Sequence, residues 1–464
     1  MRIILHIDFN SYFATVEQQA NPRLRGKPIG VTGGDRMTRT VLGAASVEAK
    51  LRGVRGGMTI PEARRVCPEI ILVRGDSDKY LSCTKKFINI LKDYSPYLEV
   101  FSIDECFMEL PLSSSWVDSG VADAPQNDIT TSLREGIADE AISGVSLMRL
   151  PRSLWSLAMT DELQYATQIA EQIKSRISNE VGDWITCSIG ISYNKVMAKL
   201  AGSLYKPNGL VVIADPEAAM WILDKIPLDE ICGLGPRIKR RLNNMGIFDF
   251  PALRKVPREN LVAAFKSYGN FLYDIARGEN DTPLTTFYEK EEVKSVGHRH
   301  TIDHDTADPI EIKQVLLKLT ELIARKLRSK NLVGRTVSCW YRAAFDIDYY
   351  QTTSHKFSGD GMQLTIPTTN DGLEIFEAAW KVFLGLWDGK RIRMVGASIS
   401  QLQPLNPHTE TFLEDKKRTQ KITKALDNIN DRFGEFTLQR GILLGTSKIR
   451  RKPNPYLADY RFKL

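Results

Sequence analysis

Two short apolar runs in this chain end in acid. Ile3-Ile4-Leu5-His6-Ile7 leads into Asp8-Phe9-Asn10-Ser11-Tyr12-Phe13, and Phe101-Ser102-Ile103 leads into Asp104-Glu105. Runs of this length and character predict strands. Lying side by side, they would bring three carboxylates to one end of a sheet, an arrangement that can hold a pair of divalent metals for phosphoryl transfer.

Elsewhere the pattern alternates between helical and extended periods. Pro28 to Val31 predicts a short strand, Val47 to Leu51 a helix stopped at Gly53, and Pro61 to Val66 another helix. Together they predict a small basic subdomain inserted between the acid-ended strands. From Leu112 to Thr160 the chain is Ser-rich and acidic, as expected of a surface loop or a helical insertion. Helical spacing returns from Glu162 to Ser178 (Leu163, Ala166, Ile169, Ala170, Ile173, Ile177), and a strand is predicted from Trp184 to Ile191. Pro227 to Arg277 reads as helical, and Glu289-Lys290-Glu291-Glu292 reads as a charged linker. Beyond it, long helices at Pro309 to Ser329 and Asp371 to Leu386 are each followed by a strand, Thr336 to Tyr341 and Arg393 to Ser400. That recurrence predicts an α+β unit with its helices on one face of a sheet. Lys416 to Arg432 has the spacing of an amphipathic helix, followed by a basic tail.

Composition narrows the function classes without choosing one. At 464 residues the chain exceeds a single core and suggests several domains. Its 63 Lys and Arg nearly balance 56 Asp and Glu, so the net +7 permits a polyanionic partner without requiring one. Six scattered cysteines without a C-x-x-C pair suggest neither a zinc site nor a disulfide framework, and point to a reducing, cytoplasmic setting. No secretory signal and no stretch long enough for a membrane span is expected.

An isolated Asp at a strand end is as often a turn or cap residue as a ligand. The surrounding series is more specific. Asp8 to Glu17 is followed by Ser46-Val47-Glu48-Ala49-Lys50 with Gly53-Val54, by Ser102-Ile103-Asp104-Glu105, and by Ser188-Ile189-Gly190-Ile191-Ser192-Tyr193-Asn194-Lys195. Ala198-Lys199 and Lys206-Pro207-Asn208-Gly209 complete it. In this order the series closely resembles the Y-family (translesion) DNA polymerases, most nearly the DNA polymerase IV or DinB-like type. Val47, Lys50 and Asn10-Ser11 are more similar to the UmuC branch.

The resemblance implies an α+β right-hand polymerase. Its palm would comprise residues 1–12 and 77–215 with an insertion at about 112–160, and its fingers residues 13–76. Residues 216–286 would form a helical thumb, 287–293 a linker, 294–404 a little finger, and 405–464 a C-terminal helix and basic tail. It also implies that Asp8, Asp104 and Glu105 hold two Mg²⁺, with the Phe9 carbonyl as a further ligand. Phe13 occupies the steric-gate position, where an aromatic ring leaves no room for a ribose 2′-hydroxyl. Tyr12 is expected to pack under the same sugar or to donate its hydroxyl nearby. Lys50 and Lys206 match triphosphate contacts, although the DNA polymerase IV pattern carries Tyr-x-x-Arg where this chain has Val47 to Lys50. A point-charge lysine there replaces a forked guanidinium.

Gly233-Leu234-Gly235-Pro236, followed by Lys239, resembles a helix-hairpin-helix whose backbone N–H groups would approach a DNA phosphate. Arg299, Arg335 and Arg393 are further candidates for backbone contact. His298, His300 and His304 lack a fourth ligand for a metal site. A clamp-binding peptide would fall at His408 to Leu413, where only Phe412-Leu413 keeps its apolar character, so a sliding clamp is a candidate partner. The expected partners are primer-template DNA and deoxynucleoside triphosphates, the expected state is a monomer, and the expected location is bacterial cytoplasm at the nucleoid. Low fidelity without proofreading is also implied. Two alternatives are a catalytically weak or inactive repair scaffold of the same fold and another palm-type nucleotidyl transferase.

Overall fold

The structure is a computed structural model that describes residues 2–33, 40–111, 160–289, 292–344, 359–405, 414–434 and 436–443. The bulk of the acidic insertion, the Phe412-Leu413 pair and the basic tail lie outside the described residues. Two compact units follow one another along the chain, one formed by described residues up to 289 and the other by those from 292 to 443.

The first unit opens with β1 (Ile3–Phe9), α1 (Tyr12–Ala20), β2 (Ile29–Thr32), β3 (Leu42–Ala45), α2 (Val47–Leu51), α3 (Ile60–Val66) and β4 (Ile71–Arg74). It continues with α4 (Ser77–Lys92), β5 (Leu98–Ser102), β6 (Glu105–Leu110), α5 (Asp161–Arg176), β7 (Cys187–Ser192), α6 (Lys195–Leu204) and β8 (Leu210–Ile213). One sheet has the order β5-β6-β1-β7-β8, and a smaller one the order β3-β2-β4. The central strand β1 is covered on both faces. Ile3, Leu5 and Ile7 face the main core, with Phe87, Leu91, Ile169 and Ile173 of α4 and α5, while Ile4 packs with Phe107 and with Ala198 of α6.

The geometry corrects the side-by-side expectation for the two acid-ended strands. β1 pairs not with β5 but with β6, in an antiparallel register that sets Asp8 opposite Glu105. Asp104 lies in the tight turn between β5 and β6, where its carbonyl accepts the Phe9 N–H at 3.0 Å. A hairpin therefore delivers the second acidic pair, which is why two adjacent acids in sequence end up in different backbone environments. β7 also starts later than predicted: the Trp184 N–H donates to the Gln19 side chain at 2.8 Å instead of joining the ladder.

Short helices complete the unit: α7 (Pro216–Leu223), α8 (Pro236–Asn244), α9 (Phe250–Arg254), α10 (Arg258–Phe265) and α11 (Tyr268–Ile275). They gather around Leu228, Leu234, Leu242, Phe250, Leu261 and Leu272.

The second unit contains β9 (Ser295–Thr306), α12 (Pro309–Ser329), β10 (Leu332–Ala343), β11 (Gly359–Thr369), α13 (Gly372–Leu386), β12 (Ile392–Ser400), β13 (Gln403–Pro404) and α14 (Glu414–Phe433). Its main sheet runs β11-β10-β12-β9, with α12 and α13 packed on one face around Leu316, Ile323, Val337, Phe383, Val395 and Ile399. β11 escaped the periodicity because it is an exposed edge strand carrying Pro367, so little of it is buried. α14 is tied down by charge: Asp427 receives two hydrogen bonds from Arg328, at 2.6 and 2.9 Å, and Asp431 pairs with Arg325. No described helix is long and apolar enough to cross a membrane.

Candidate active site

Period two along β1 places His6 and Asp8 on the face that meets α6. Glu105, opposite Asp8, joins them, and ligand atoms of His6, Asp8 and Glu105 all lie within 4.8 Å of one another. Glu105 is buried and receives two side chains: the His6 ring at 2.5 Å through Nε2, and the Lys199 ammonium from α6. α6 comes this close because Gly202 lies against both Gly190 and the His6 ring; a Cβ at Gly190 would sit only 2.2 Å from the Gly202 nitrogen.

His6 is 1 % exposed, and burial, then Lys199, push its pKa down to about 3. The ring is therefore neutral at ordinary pH. Its Nδ1 has no partner among the described residues, which fits Nε2 as the protonated nitrogen donating to Glu105.

Asp8 holds the Lys206 ammonium at 2.9 Å, and Asp104 accepts the Ser102 hydroxyl at 2.5 Å. Burial raises the Asp104 pKa, the Ser102 hydrogen bond opposes that shift, and the neighbouring charge of Asp8 adds to it. Three acids are thus held at one sheet end, and the crowding of Asp104 by Asp8 is the like-charge repulsion that a cation relieves. Hard carboxylate oxygens fit Mg²⁺. Asp104 stands outside the His6, Asp8 and Glu105 trio, and His6, which no sequence motif marks as a site residue, stands in it. Two residues before Asp8 on the same strand face, His6 could have been found by strand period alone.

Lys50 and Lys206 both attend this end of the sheet. Surrounding protein, then Lys206, lowers the Lys50 pKa, while Asp8 and Asp104 oppose the shift. Lys206 sits on a turn fixed by Asn10. The Asn10 amide oxygen accepts the Asn208 N–H at 2.8 Å and the Thr186 hydroxyl at 3.1 Å, and its NH₂ donates to Ser188 at 2.9 Å. Lys174 of α5 adds a bond to the Asn208 carbonyl at 2.5 Å. In sequence Asn10 marks only the branch, and its part in holding this turn emerges from the structure.

Phe13, in the first turn of α1, is buried and stacks on Tyr80 with ring centroids 4.3 Å apart. Tyr80 is fixed in turn, its hydroxyl donating to Glu17 at 2.8 Å, and Glu17 also pairs with Lys79 at 2.6 Å. Tyr12 does not keep its hydroxyl for a ligand: it donates to the Tyr80 carbonyl at 2.8 Å and lies 2.7 Å from the Thr84 hydroxyl. Of the two expected uses of Tyr12, this arrangement leaves packing. Phe9 stacks on Phe87 at 4.1 Å.

The candidate DNA contacts are dispersed. Gly233 has φ +104°, and its carbonyl accepts the Tyr268 hydroxyl at 2.6 Å; Gly235 caps α8. Lys239 pairs with Asp229 at 2.6 Å. In the second unit Arg299 and Arg335 are exposed, whereas Arg393 makes hydrogen bonds to Asp305 at 3.1 and 3.0 Å. His304 lies 3.2 Å from Glu311.

Comparisons with known proteins agree along the length of the chain. The impB/mucB/samB family matches residues 7–203, and its C-terminal domain matches residues 293–412. A protein named DNA polymerase IV from Pelotomaculum thermopropionicum is 31% identical over 450 residues, covering 97% of this chain and 97% of that protein. DNA polymerase IV 2 of Bacillus subtilis (strain 168) is 29% identical, covering 96% of this chain and 95% of its own. Among solved structures, the Y-family DNA polymerase chimera Dbh-Dpo4(243-245)-Dbh aligns with a TM-score of 0.62 at 22% identity, covering 87% of this chain and 99% of that one.

Proposed function

The chain belongs to the impB/mucB/samB family, the DinB-like Y-family DNA polymerases, and from that premise we propose that its acidic sheet end carries out template-directed nucleotide addition. It is a translesion DNA polymerase, an enzyme that extends a primer 3′-end with deoxynucleotides. The observation that carries the site assignment is the register of Asp8 against Glu105 with Asp104 in the adjoining turn. Asp8, Asp104 and Glu105, with the Phe9 carbonyl, would hold two Mg²⁺. When bound there, the ions would supply a lowered pKa for the primer 3′-hydroxyl and charge stabilisation for the leaving pyrophosphate.

The remaining work falls to side chains of this chain. Lys206, carried on the turn that Asn10 and Lys174 hold, and Lys50 beside it would neutralise the triphosphate. Lys206 already lies 2.9 Å from Asp8, so an arriving triphosphate competes with a carboxylate for its charge. Phe13 would exclude a 2′-hydroxyl, braced by Tyr80 and Glu17 behind it. Neutral His6, with Lys199, would orient Glu105.

We assign residues 1–12 and 77–215 to a palm, 13–76 to fingers, 216–286 to a thumb and 294–404 to a little finger, after a linker at 287–293. The thumb glycines Gly233 and Gly235 with Lys239, and Arg299, Arg335 and Arg393 of the little finger, are proposed to meet the DNA backbone. Low fidelity without proofreading is proposed with them. The scaffold alternative is not favoured, since all three acids are present and gathered at one end of the sheet.

Primer extension on undamaged and abasic templates tests the reading. Wild type is expected to extend both, and Asp104→Ala/Glu105→Ala neither; extension that persists in the double variant would overturn the site assignment.

A further inference from the structure

The two lysines proposed for the triphosphate are carried in different ways. Lys206 rides on a turn that Asn10 and Lys174 hold. Lys50 rides on α2, which is five residues long and buries a single one of them, Ala49. One turn of helix is marginal by itself, and one buried methyl group adds little to hold it. Polar links must therefore fix where α2 points. Lys206 adds to that need, because its charge opposes the charge of Lys50.

One link lies at the start of the helix. The Ser46 hydroxyl caps α2 by accepting the Ala49 N–H at 3.3 Å, accepts the Ile29 N–H at 3.1 Å and donates to the Lys27 carbonyl at 3.2 Å. At the far end Arg52 pairs with Glu69 at 2.9 Å, but both side chains are about half exposed, so that pair contributes little. Glu48 makes the link toward α1.

The Glu48 carboxylate accepts a hydrogen bond from the Gln18 NH₂ at 3.2 Å. Gln18 lies on α1, further along the helix that opens with Tyr12 and Phe13, and is 1 % exposed. The same NH₂ donates to the carbonyls of Leu24 at 3.2 Å and Lys27 at 3.3 Å, and its Oε1 accepts the Trp184 indole N–H at 3.1 Å. The turn before β2, α2 and the approach to β7 thus converge on one buried amide. The Lys27 carbonyl receives both Gln18 and Ser46, so the two anchors of α2 share an acceptor. A buried amide used on every side has no water to turn to, which fixes its partners in place.

The bonds to Leu24, Lys27 and Trp184 hold the unit together. The bond to Glu48 differs in kind, because it ends on the helix that carries Lys50, two residues before that lysine. We propose that Gln18 is a positioning residue for nucleotide addition: it holds Glu48, and with it α2, so that Lys50 meets the triphosphate in place. Its role runs through Glu48 and not through contact with the substrate. This rests on the reading of Lys50 as a triphosphate contact.

The test is a double-mutant cycle in single-nucleotide primer extension, with KM for the deoxynucleotide and kcat measured for the full chain as wild type, Gln18→Met, Lys50→Ala and the double variant. Gln18→Met keeps length and burial while removing the hydrogen bonds. It should raise KM about five-fold with kcat held within about two-fold, and Lys50→Ala should raise KM about ten-fold. In the Lys50→Ala background, Gln18→Met should add less than about two-fold, because the group it positions is already gone. Glu48→Ala should match Gln18→Met, and Glu48→Gln, whose amide oxygen still accepts from Gln18, should recover most of that loss. Effects that multiply in the double variant, or a fall in kcat at unchanged KM, would show a structural role alone and overturn the proposal. Should Gln18→Met fail to fold, the same cycle run with Glu48→Ala and Lys50→Ala decides it by the same criteria. The two readings separate on the single variants. An unchanged KM in Lys50→Ala sinks the Lys50 contact and the proposal with it, whereas a raised KM there with an unchanged KM in Gln18→Met and Glu48→Ala sinks the proposal alone.

Discussion

The two units each build a sheet with helices packed on it, yet they leave side chains open in different places. In the first, both faces of β1 are covered, so its side chains are free only where the strand ends, and there Asp8, Asp104 and Glu105 gather. In the second, α12 and α13 cover one face and leave alternate residues of four strands open, so Arg299, Trp340 and Arg342 spread across a surface. A strand sandwiched on both sides concentrates chemistry at a point, where burial and fixed partners tune each group. A half-covered sheet leaves its open side chains spread over several strands, with fewer fixed partners.

That contrast predicts unequal sensitivity to substitution. The largest effect should come from Glu105→Gln: removing a buried charge that Lys199 and His6 both hold should slow single-nucleotide incorporation by about a thousand-fold or more. A loss of less than about ten-fold would break the idea that this end is a concentrated site. Phe13→Ala comes next. Ribonucleotide incorporation relative to deoxynucleotide should rise on the order of a hundred-fold, since a rigid ring backed by Tyr80 is being removed, and steady-state competition between the two triphosphates reads it. Equal losses for both substrates would show that Phe13 only packs.

Asn10→Ala should have a smaller and more selective effect. It frees the turn that carries Lys206, so KM for the triphosphate should rise about ten-fold with kcat held within a few-fold. A drop in kcat at unchanged KM would place Asn10 elsewhere in the reaction. The smallest effect belongs to the second unit's periphery. Arg328→Ala removes two hydrogen bonds to Asp427 and should release α14, costing about 1 kcal/mol and making residues 414–434 an early proteolytic target while extension persists.

Much of the fold was legible because the helices repeat their apolar residues at helical spacing; α5, α12 and α13 fall close to their predicted bounds. The acids were legible because each ends an apolar run. What sequence could not give was register. The adjacency of Asp104 and Glu105 hides a hairpin turn, so the pairing partner of β1 was misplaced by one strand. His6 read as one more strand residue, and Asn10 as a marker of branch, because their roles depend on Glu105 and Asn208, each about a hundred or more residues away. The open sheet face was harder still: β11 has almost no buried side to give it a period, and Trp340 read as another apolar strand residue until Gly396 was placed beneath it.

The central claim, that Asp8, Asp104 and Glu105 make one divalent-cation site, is tested most directly by Mn²⁺ binding. Electron paramagnetic resonance would follow Mn²⁺ uptake by the chain with primer-template DNA and a non-hydrolysable deoxynucleotide, in wild type, Asp8→Asn and Glu105→Gln. The account predicts Mn²⁺ bound by wild type beyond what the nucleotide and DNA hold alone, and lost in both variants. The same uptake in all three proteins would contradict it.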